Sequence, residues 1–166
     1  LSFNLIDKLK TRKGAAMAKF RKFGLIIVGD EILSGRRQDK HLSKVIELLN
    51  DRGMELSWAR LVGDDMDELV RIYKESFASA NIVFSTGGIG ATPDDKTREA
   101  AATALGVPMV LHPEAEALIM EYVINRAAIG KIDQDIGAPE NQRRLAMGVF
   151  PEGAEIVPNA FNRIPG

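Results

Sequence analysis

Phe23–Gly29 (FGLIIVG) is a continuous apolar run, the pattern of a strand buried on both faces. Asp39 is placed to cap a helix from Lys40 to about Arg52. In it Leu42, Val45, Ile46 and Leu49 form an apolar stripe and Gly53 supplies the stop,. Met54–Val62 alternates more and predicts a second strand. Asp64–Ala78 predicts a helix, with Met66, Leu69, Val70, Tyr73 and Phe77 on one face,. Asn81–Thr86 predicts a third buried strand. Pro93–Leu105 predicts a helix capped near Thr92 or Asp94 and closed by Gly106,. Further on, Met109–Leu111 is a short strand at best, and Pro113–Ile129 a long helix with proline in its first turn,. A polar loop over Gly130–Ala138, a helix over Pro139–Met147 and a last short strand over Ala154–Val157 complete the pattern.

The order strand, helix, strand, helix, strand, helix selects an α/β fold, three-layer αβα with a mostly parallel sheet. In 166 residues there is room for about one domain,. Residues 1–22 carry seven basic groups, from Lys8 to Lys22, and Leu1, Leu5, Ile6 and Leu9 have helical spacing. They are expected to be a basic leader outside the fold, with Met17 as the natural start, rather than a targeting or membrane-surface segment. Residues 23–166 are expected to form the domain. Because Ile164-Pro165-Gly166 directly follows a strand-like segment, further sequence is expected beyond it.

Composition removes several chemistries. With no cysteine there is no disulfide and no thiolate site,, and two histidines exclude a zinc site built on several imidazoles,. Twenty-two basic against 23 acidic side chains argue against a general nucleic-acid binder. No run approaches the ~20 apolar residues of a membrane span. A cytoplasmic address suits the lack of cysteine. His41 and His112 have no nucleophile identifiable beside them and read as structural or surface groups, and Trp58 reads as core.

Ligands of open parallel sheets sit beyond the carboxyl ends of the strands, so the loops after the three strands carry the chemistry. They are Gly29-Asp30-Glu31-Ile32-Leu33-Ser34-Gly35, Gly63-Asp64-Asp65-Met66-Asp67, and Thr86-Gly87-Gly88-Ile89-Gly90-Ala91-Thr92-Pro93-Asp94-Asp95. Each carries glycine and acid. In the third, Gly87, Gly88 and Gly90 allow positive φ and close approach of backbone N–H groups to an anion, and the following helix adds its N-terminal dipole. A tight strand-to-helix turn explains the same glycines. Asp94 and Asp95 would repel a phosphate unless a cation stands between, which points to Mg²⁺ held by one or two carboxylates plus phosphate oxygens. Asp64 is a natural second carboxylate, and Asp64 and Asp95 read equally as helix N-caps. Asp30 and Glu31 would bind ribose, an amine or a metal, or form a solvated turn. Ser34 and Gly35 extend that loop. Arg36, Arg37 and Lys40 would offset its charge or hold a phosphate, or simply make a surface face.

The combination GDEILSG, QDK and TGGIGATPDDKT resembles the molybdopterin-binding domain family, which includes the MoaB/Mog proteins of molybdenum cofactor synthesis and the N-terminal domain of CinA-type proteins. The resemblance spans residues 23–166. It implies a MoaB/Mog-like fold and a molybdopterin-binding-like domain. For Mog-type relatives it implies transfer of AMP from Mg-ATP to molybdopterin. Asp64 and Asp95 match the two essential aspartates, as catalytic residues and metal ligands. Asp30, Glu31, Ser34, Gly35, Thr86, Gly87, Gly88, Gly90, Thr92, Asp94 and Thr97 then line the substrate. For CinA-like relatives it implies divalent-metal hydrolysis of ADP-ribose-type pyrophosphates. A pterin- or nucleotide-binding module without turnover is the third reading. Ile89 stands where Mog-type loops often carry threonine. The resemblance also implies a small-molecule partner, no nucleic acid or membrane, and a homo-oligomer, trimeric in many relatives.

Overall fold

The computed structural model describes residues 22–157 and Asn159. The expected basic leader and its amphipathic helix lie, but for Lys22, outside the described residues. The chain divides into two compact units, the first comprising, among described residues, 22–89 and 93–106, and the second 90–92, 107–157 and 159.

In the first unit, β1 (Phe23–Val28) is the central strand of a parallel sheet ordered β2-β1-β3, with β2 at Leu56–Val62 and β3 at Ile82–Thr86. All six residues of β1 are buried, which is why its sequence is uniformly apolar. β2 is flanked on one side only within this sheet, and Ser57, Ala59, Arg60 and Leu61 are exposed. That accounts for its mixed pattern. Helix α1 (Asp30–Leu33) is a single turn where the sequence read as loop. Helix α2 (His41–Asn50) packs against β1 and β2. Asp39 accepts the His41 and Leu42 N–H groups at 2.9 Å each, the expected cap. The buried face of α2 is Val45, Leu48 and Leu49, whereas Ile46, placed in the stripe by the sequence, is exposed. One residue on from Val45, Ile46 is turned about 100° off that face.

Helix α3 (Met66–Phe77) lays Leu69, Ile72 and Tyr73 against Ile26, Val28 and Val62, and Ala100 of α4 (Thr97–Leu105) joins that cluster. The alternation of strand side chains puts Leu25 and Ile27 on the other face, so helices cover both sides. Each large apolar side chain so buried contributes about 1.5–3 kcal/mol. Phe77, expected in the buried stripe, is 48% exposed in the last turn of α3. Trp58 packs on this core and lies over Gly24, where a Cβ would collide with its indole ring. Helix α4 begins at Thr97, four residues later than expected, and neither Thr92 nor Asp94 is its N-cap. The Lys96 and Thr97 N–H groups bond to the Asp94 and Gly88 carbonyls instead, so this stretch is tied into the glycine loop. Gly106 closes α4 in the left-handed conformation, as expected.

In the second unit, β4 (Met109–Leu111) and β5 (Val149–Pro151) form an antiparallel pair. The expected strand over Ala154–Val157 is absent. The chain turns at Gly153 (φ 83°), where the Ala154 N–H bonds to the Pro151 carbonyl. Helix α5 (Pro113–Ala127) buries Ala115, Ile119, Val123 and Ala127 at helical spacing, and His112 Nδ1 accepts the Glu114 N–H at its start. Helix α6 (Pro139–Ala146) presents Asn141, which is 1% exposed. Its Nδ2 donates to the Asp133 and Asp135 carbonyls and ties down the preceding polar loop. Among the described residues no helix is long and apolar enough to cross a membrane.

Candidate functional site

The loops after β1, β2 and β3 converge on an open cleft of about 500 Å³ lined by Asp30, Glu31, Arg36, Asp64, Asp65, Asp94 and Lys96. The parallel strand order brings the three carboxyl ends to one edge, and the residues that follow each strand become neighbours there. β1 lies between β2 and β3, so its loop is the bridge between the other two.

Asp30 and Asp64 form a reciprocal pair. The Asp30 N–H donates to Asp64 Oδ2 at 3.0 Å, and the Asp64 N–H donates to Asp30 Oδ1 at 3.3 Å. Gly63 leaves room for this pair, since a Cβ there would push the Asp30 carboxylate aside. Each carboxylate thus uses one oxygen to fix the other's backbone and retains acceptor capacity on the other. The N-cap of α3 is Asp65, whose side chain accepts the Glu68 N–H at 2.9 Å. Asp64 does not serve as that cap, which leaves it free of one of the two roles its sequence allowed. The capping-box spacing Asp65-x-x-Glu68 was the signal for this assignment.

The glycine loop is bound closely into the fold. Gly87 (φ 89°) and Gly88 (φ 58°) have the positive φ expected of them. A Cβ on Gly87 would strike the Val28 carbonyl oxygen, and one on Gly88 would lie 2.7 Å from Thr97 Oγ1. Thr97 Oγ1 donates to the Gly87 carbonyl at 2.8 Å and its N–H to the Gly88 carbonyl at 3.1 Å. Thr86 is buried and its hydroxyl turns to the Ile26 carbonyl at 3.5 Å. The hydroxyls of Thr86 and Thr97 are therefore engaged inside the fold. Below them Tyr73 is 4% exposed and shares a 2.7 Å bond with Ser85 Oγ. Burial pushes its phenol up, against the pull of bonds to Ser85 and Thr97.

Ser34 Oγ accepts from Arg36 Nε at 3.1 Å, and Gly35 turns there with φ 73°. Those two expected contact residues thus orient Arg36. Asp94 is the acid that the β3 loop brings to the cleft, with Lys96 beside it in sequence. Asp95 interacts instead with Arg98, whose guanidinium is held below its usual range by burial, with the Asp95 charge opposing that shift. Gly90 and Thr92 belong to the second unit. Arg36 was read either as a phosphate-holding cation or as surface, and the structure lines the cleft with it; Asp65 and Lys96 were not among the expected site residues.

Five carboxylates against two cations leave the cleft formally negative. A phosphate entering alone would be repelled. Among the described residues no group of three or more His, Asp or Glu side chains is arranged to hold a metal ion. A closed protein cage for Ca²⁺ or Zn²⁺ does not fit this. The donor set does suit Mg²⁺, which is bound through one or two carboxylates and completed by water and phosphate oxygens.

Residues 24–143 match the family described as a probable molybdopterin binding domain. The chain belongs to the molybdopterin-binding domain family. A CinA-like protein of Anaeromyxobacter sp. (strain Fw109-5) is 34% identical over 143 residues, which is 86% of this chain and 32% of that protein. The crystal structure of a CinA protein of unknown function from Thermoplasma acidophilum superposes with a TM-score of 0.68 at 27% identity, covering 88% of this chain and 79% of that one. MoaB, a molybdopterin biosynthesis enzyme from Thermus thermophilus, matches with a TM-score of 0.46 at 22% identity over 61% of this chain and 64% of that one. The chain spans between 32% and 51% of the length of the first curated relatives it matches.

Proposed function

We propose that this domain binds a phosphorylated pterin or nucleotide, molybdopterin among them, together with Mg²⁺, and acts on its pyrophosphate linkage. One observation carries the reading: the loops after all three parallel strands put five carboxylates and two cations around one open cleft. That charge balance suits a metal–pyrophosphate ligand better than a free anion or a neutral one. Asp64 and Asp30 would hold the cation, with Asp94 supplying a further acid from the β3 loop. The bound Mg²⁺ would supply charge neutralisation at the phosphoryl group under attack.

Two chemistries share this arrangement. In AMP transfer a phosphate oxygen of molybdopterin bonds to the α-phosphorus of ATP while the bond to the leaving pyrophosphate breaks. In hydrolysis a water oxygen takes the place of the pterin phosphate and bonds to the adenosine-side phosphorus of an ADP-ribose-type diphosphate, while the bond to the bridging oxygen breaks, giving AMP and a ribose phosphate. The likeness to CinA-like proteins covers 86% of this chain, and the hydrolysis reading rests on what the resemblance to that branch implies; the family description supports a pterin ligand. Each is tested by incubating the chain with Mg²⁺ and either ADP-ribose or ATP plus molybdopterin, and following AMP, pyrophosphate and adenylylated pterin. The expected result is turnover with one pair, lost at least 100-fold in Asp64→Asn. Asparagine keeps an amide oxygen for the Asp30 N–H, so the thermal midpoint should stay close to that of the unaltered chain. No turnover with either pair, and no binding of molybdopterin, would overturn the reading.

A further inference from the structure

We infer that the cleft is electrically divided, and that Arg36 and Lys96 form its anion-holding side, selecting a ligand with two linked phosphates over one with a single phosphate. The inference rests on the metal–pyrophosphate reading of the cleft and adds the residues that discriminate. The division follows from which strand supplies which charge. The β2 loop contributes only acids, Asp64 and Asp65. The β1 loop contributes Asp30 and Glu31 with Arg36, and the β3 loop contributes Asp94 with Lys96. With β1 in the middle of the sheet, acid alone lies at the β2 end of the cleft edge, and mixed charge from its middle to the β3 end. The two ends are about 10 Å apart, at two strand spacings.

Neither cation is neutralised by the acids that surround it. The polar contact of the Arg36 side chain among the described residues is to a neutral hydroxyl, Nε to Ser34 Oγ at 3.1 Å, and its two terminal nitrogens remain as a fork of donors. Ser34 Oγ is itself anchored on the Glu31 carbonyl at 3.4 Å, and the Gly35 turn follows the end of α1. This fixes the stem of Arg36 and leaves its head to the cleft. Lys96 is fixed through its backbone, its N–H on the Asp94 carbonyl and its carbonyl on the Ala100 N–H. No ion pair joins either side chain to an acid among the described residues. Glu31, in the same loop, pairs with Arg37 at 3.9 Å, and Asp39, the acid nearest to Arg36 in sequence, pairs with His41 at 2.9 Å. Two cations kept apart from five carboxylates in one cleft are suited to an outside anion. A second phosphate, linked to one held through Mg²⁺ near Asp30 and Asp64, would supply that anion.

The probes are inorganic pyrophosphate and inorganic orthophosphate, each with Mg²⁺, titrated calorimetrically into the unaltered chain, Arg36→Ala and Lys96→Ala. Because neither probe turns over to AMP, the outcome is separate from that of the activity assay. The expected result is tighter binding of pyrophosphate than of orthophosphate by the unaltered chain. Each alanine variant should weaken pyrophosphate about tenfold, a change of 1.4 kcal/mol, with orthophosphate affinity little changed. Arg36→Lys and Lys96→Arg should recover part of the loss, and the salt dependence of pyrophosphate binding should flatten in the alanine variants. Equal affinity of the unaltered chain for the two probes, or pyrophosphate binding unchanged in both alanine variants, would overturn the inference even if AMP is released normally. AMP release failing while the two variants lose pyrophosphate would sink the activity and leave this assignment standing.

Discussion

Replacing Gly87 by alanine separates two explanations of the glycine loop. If the glycines exist to admit a ligand, the ligand-free protein should tolerate a methyl group well. The structure says otherwise at this position. Gly87 has φ 89°, and a Cβ there would approach the Val28 carbonyl closer than the 3.0 Å that real Cβ atoms respect. Val28 cannot easily retreat, because β1 is hydrogen-bonded to strands on both sides. Left-handed backbone costs a non-glycine residue about 1–2 kcal/mol, and an overpacked contact adds about 1–3 kcal/mol. Gly87→Ala should therefore lose about 2–5 kcal/mol without any ligand. Gly35 is the control: it has φ 73° and nothing within 4 Å of a built Cβ, so Gly35→Ala carries the backbone cost alone, about 1–2 kcal/mol. Both variants share the entropic gain of alanine in the unfolded chain, which cancels in the comparison. Urea denaturation of the two variants measures the gap directly. In thermal melts Gly87→Ala should fall by roughly 4–20 °C, at about 2–4 °C per kcal/mol for a chain of this size. Equal destabilisation of the two variants would show that the loop does not lie against β1 as described.

Two further outcomes follow from single contacts. Asp39 is partly desolvated, which opposes its charge, but the N–H groups of Leu42 and His41 hold its carboxyl below the ordinary 3.8. The stability it lends is thus full above that value and drains away as pH falls through the lowered one. Asp39→Ala should cost about 1 kcal/mol at neutral pH, with the difference from the unaltered chain shrinking below about pH 4; a gap constant down to pH 2 refutes the cap. Asn141→Ala removes the buried amide that holds the Asp133 and Asp135 carbonyls of an otherwise exposed loop. A loss of about 2–3 kcal/mol is expected, with faster protease cleavage in the 130–138 loop; an unchanged cleavage pattern counts against the anchor.

Asp65 and Asp95 show how far local pattern reaches. The run Gly63-Asp64-Asp65-Met66-Asp67-Glu68 marks a strand end and a helix start within a residue or two. Which acid caps and which faces the cleft depends on one step of backbone rotation, and the structure gives the cap to Asp65 and the cleft to Asp64 as well. The same step separates Asp94 on the cleft wall from Asp95 beside Arg98. Thr86 and Thr97 carry the hydroxyls a phosphate site would want, yet both point into the fold. Nothing in the letters distinguishes a hydroxyl that braces a loop from one that meets a ligand.

What the sequence determined by itself was the periodicity: the uniform apolar run of β1, the amphipathic faces of α2 and α3, and the left-handed glycines at the turns. These depend on neighbours a few residues apart, where side-chain direction follows directly from chain position. Only the tertiary structure decided that Arg36 and Lys96, 60 residues apart, stand in one cleft with Asp64. The position of β1 between β2 and β3 brings their loops together, and strand order is set by long-range burial that no local spacing records.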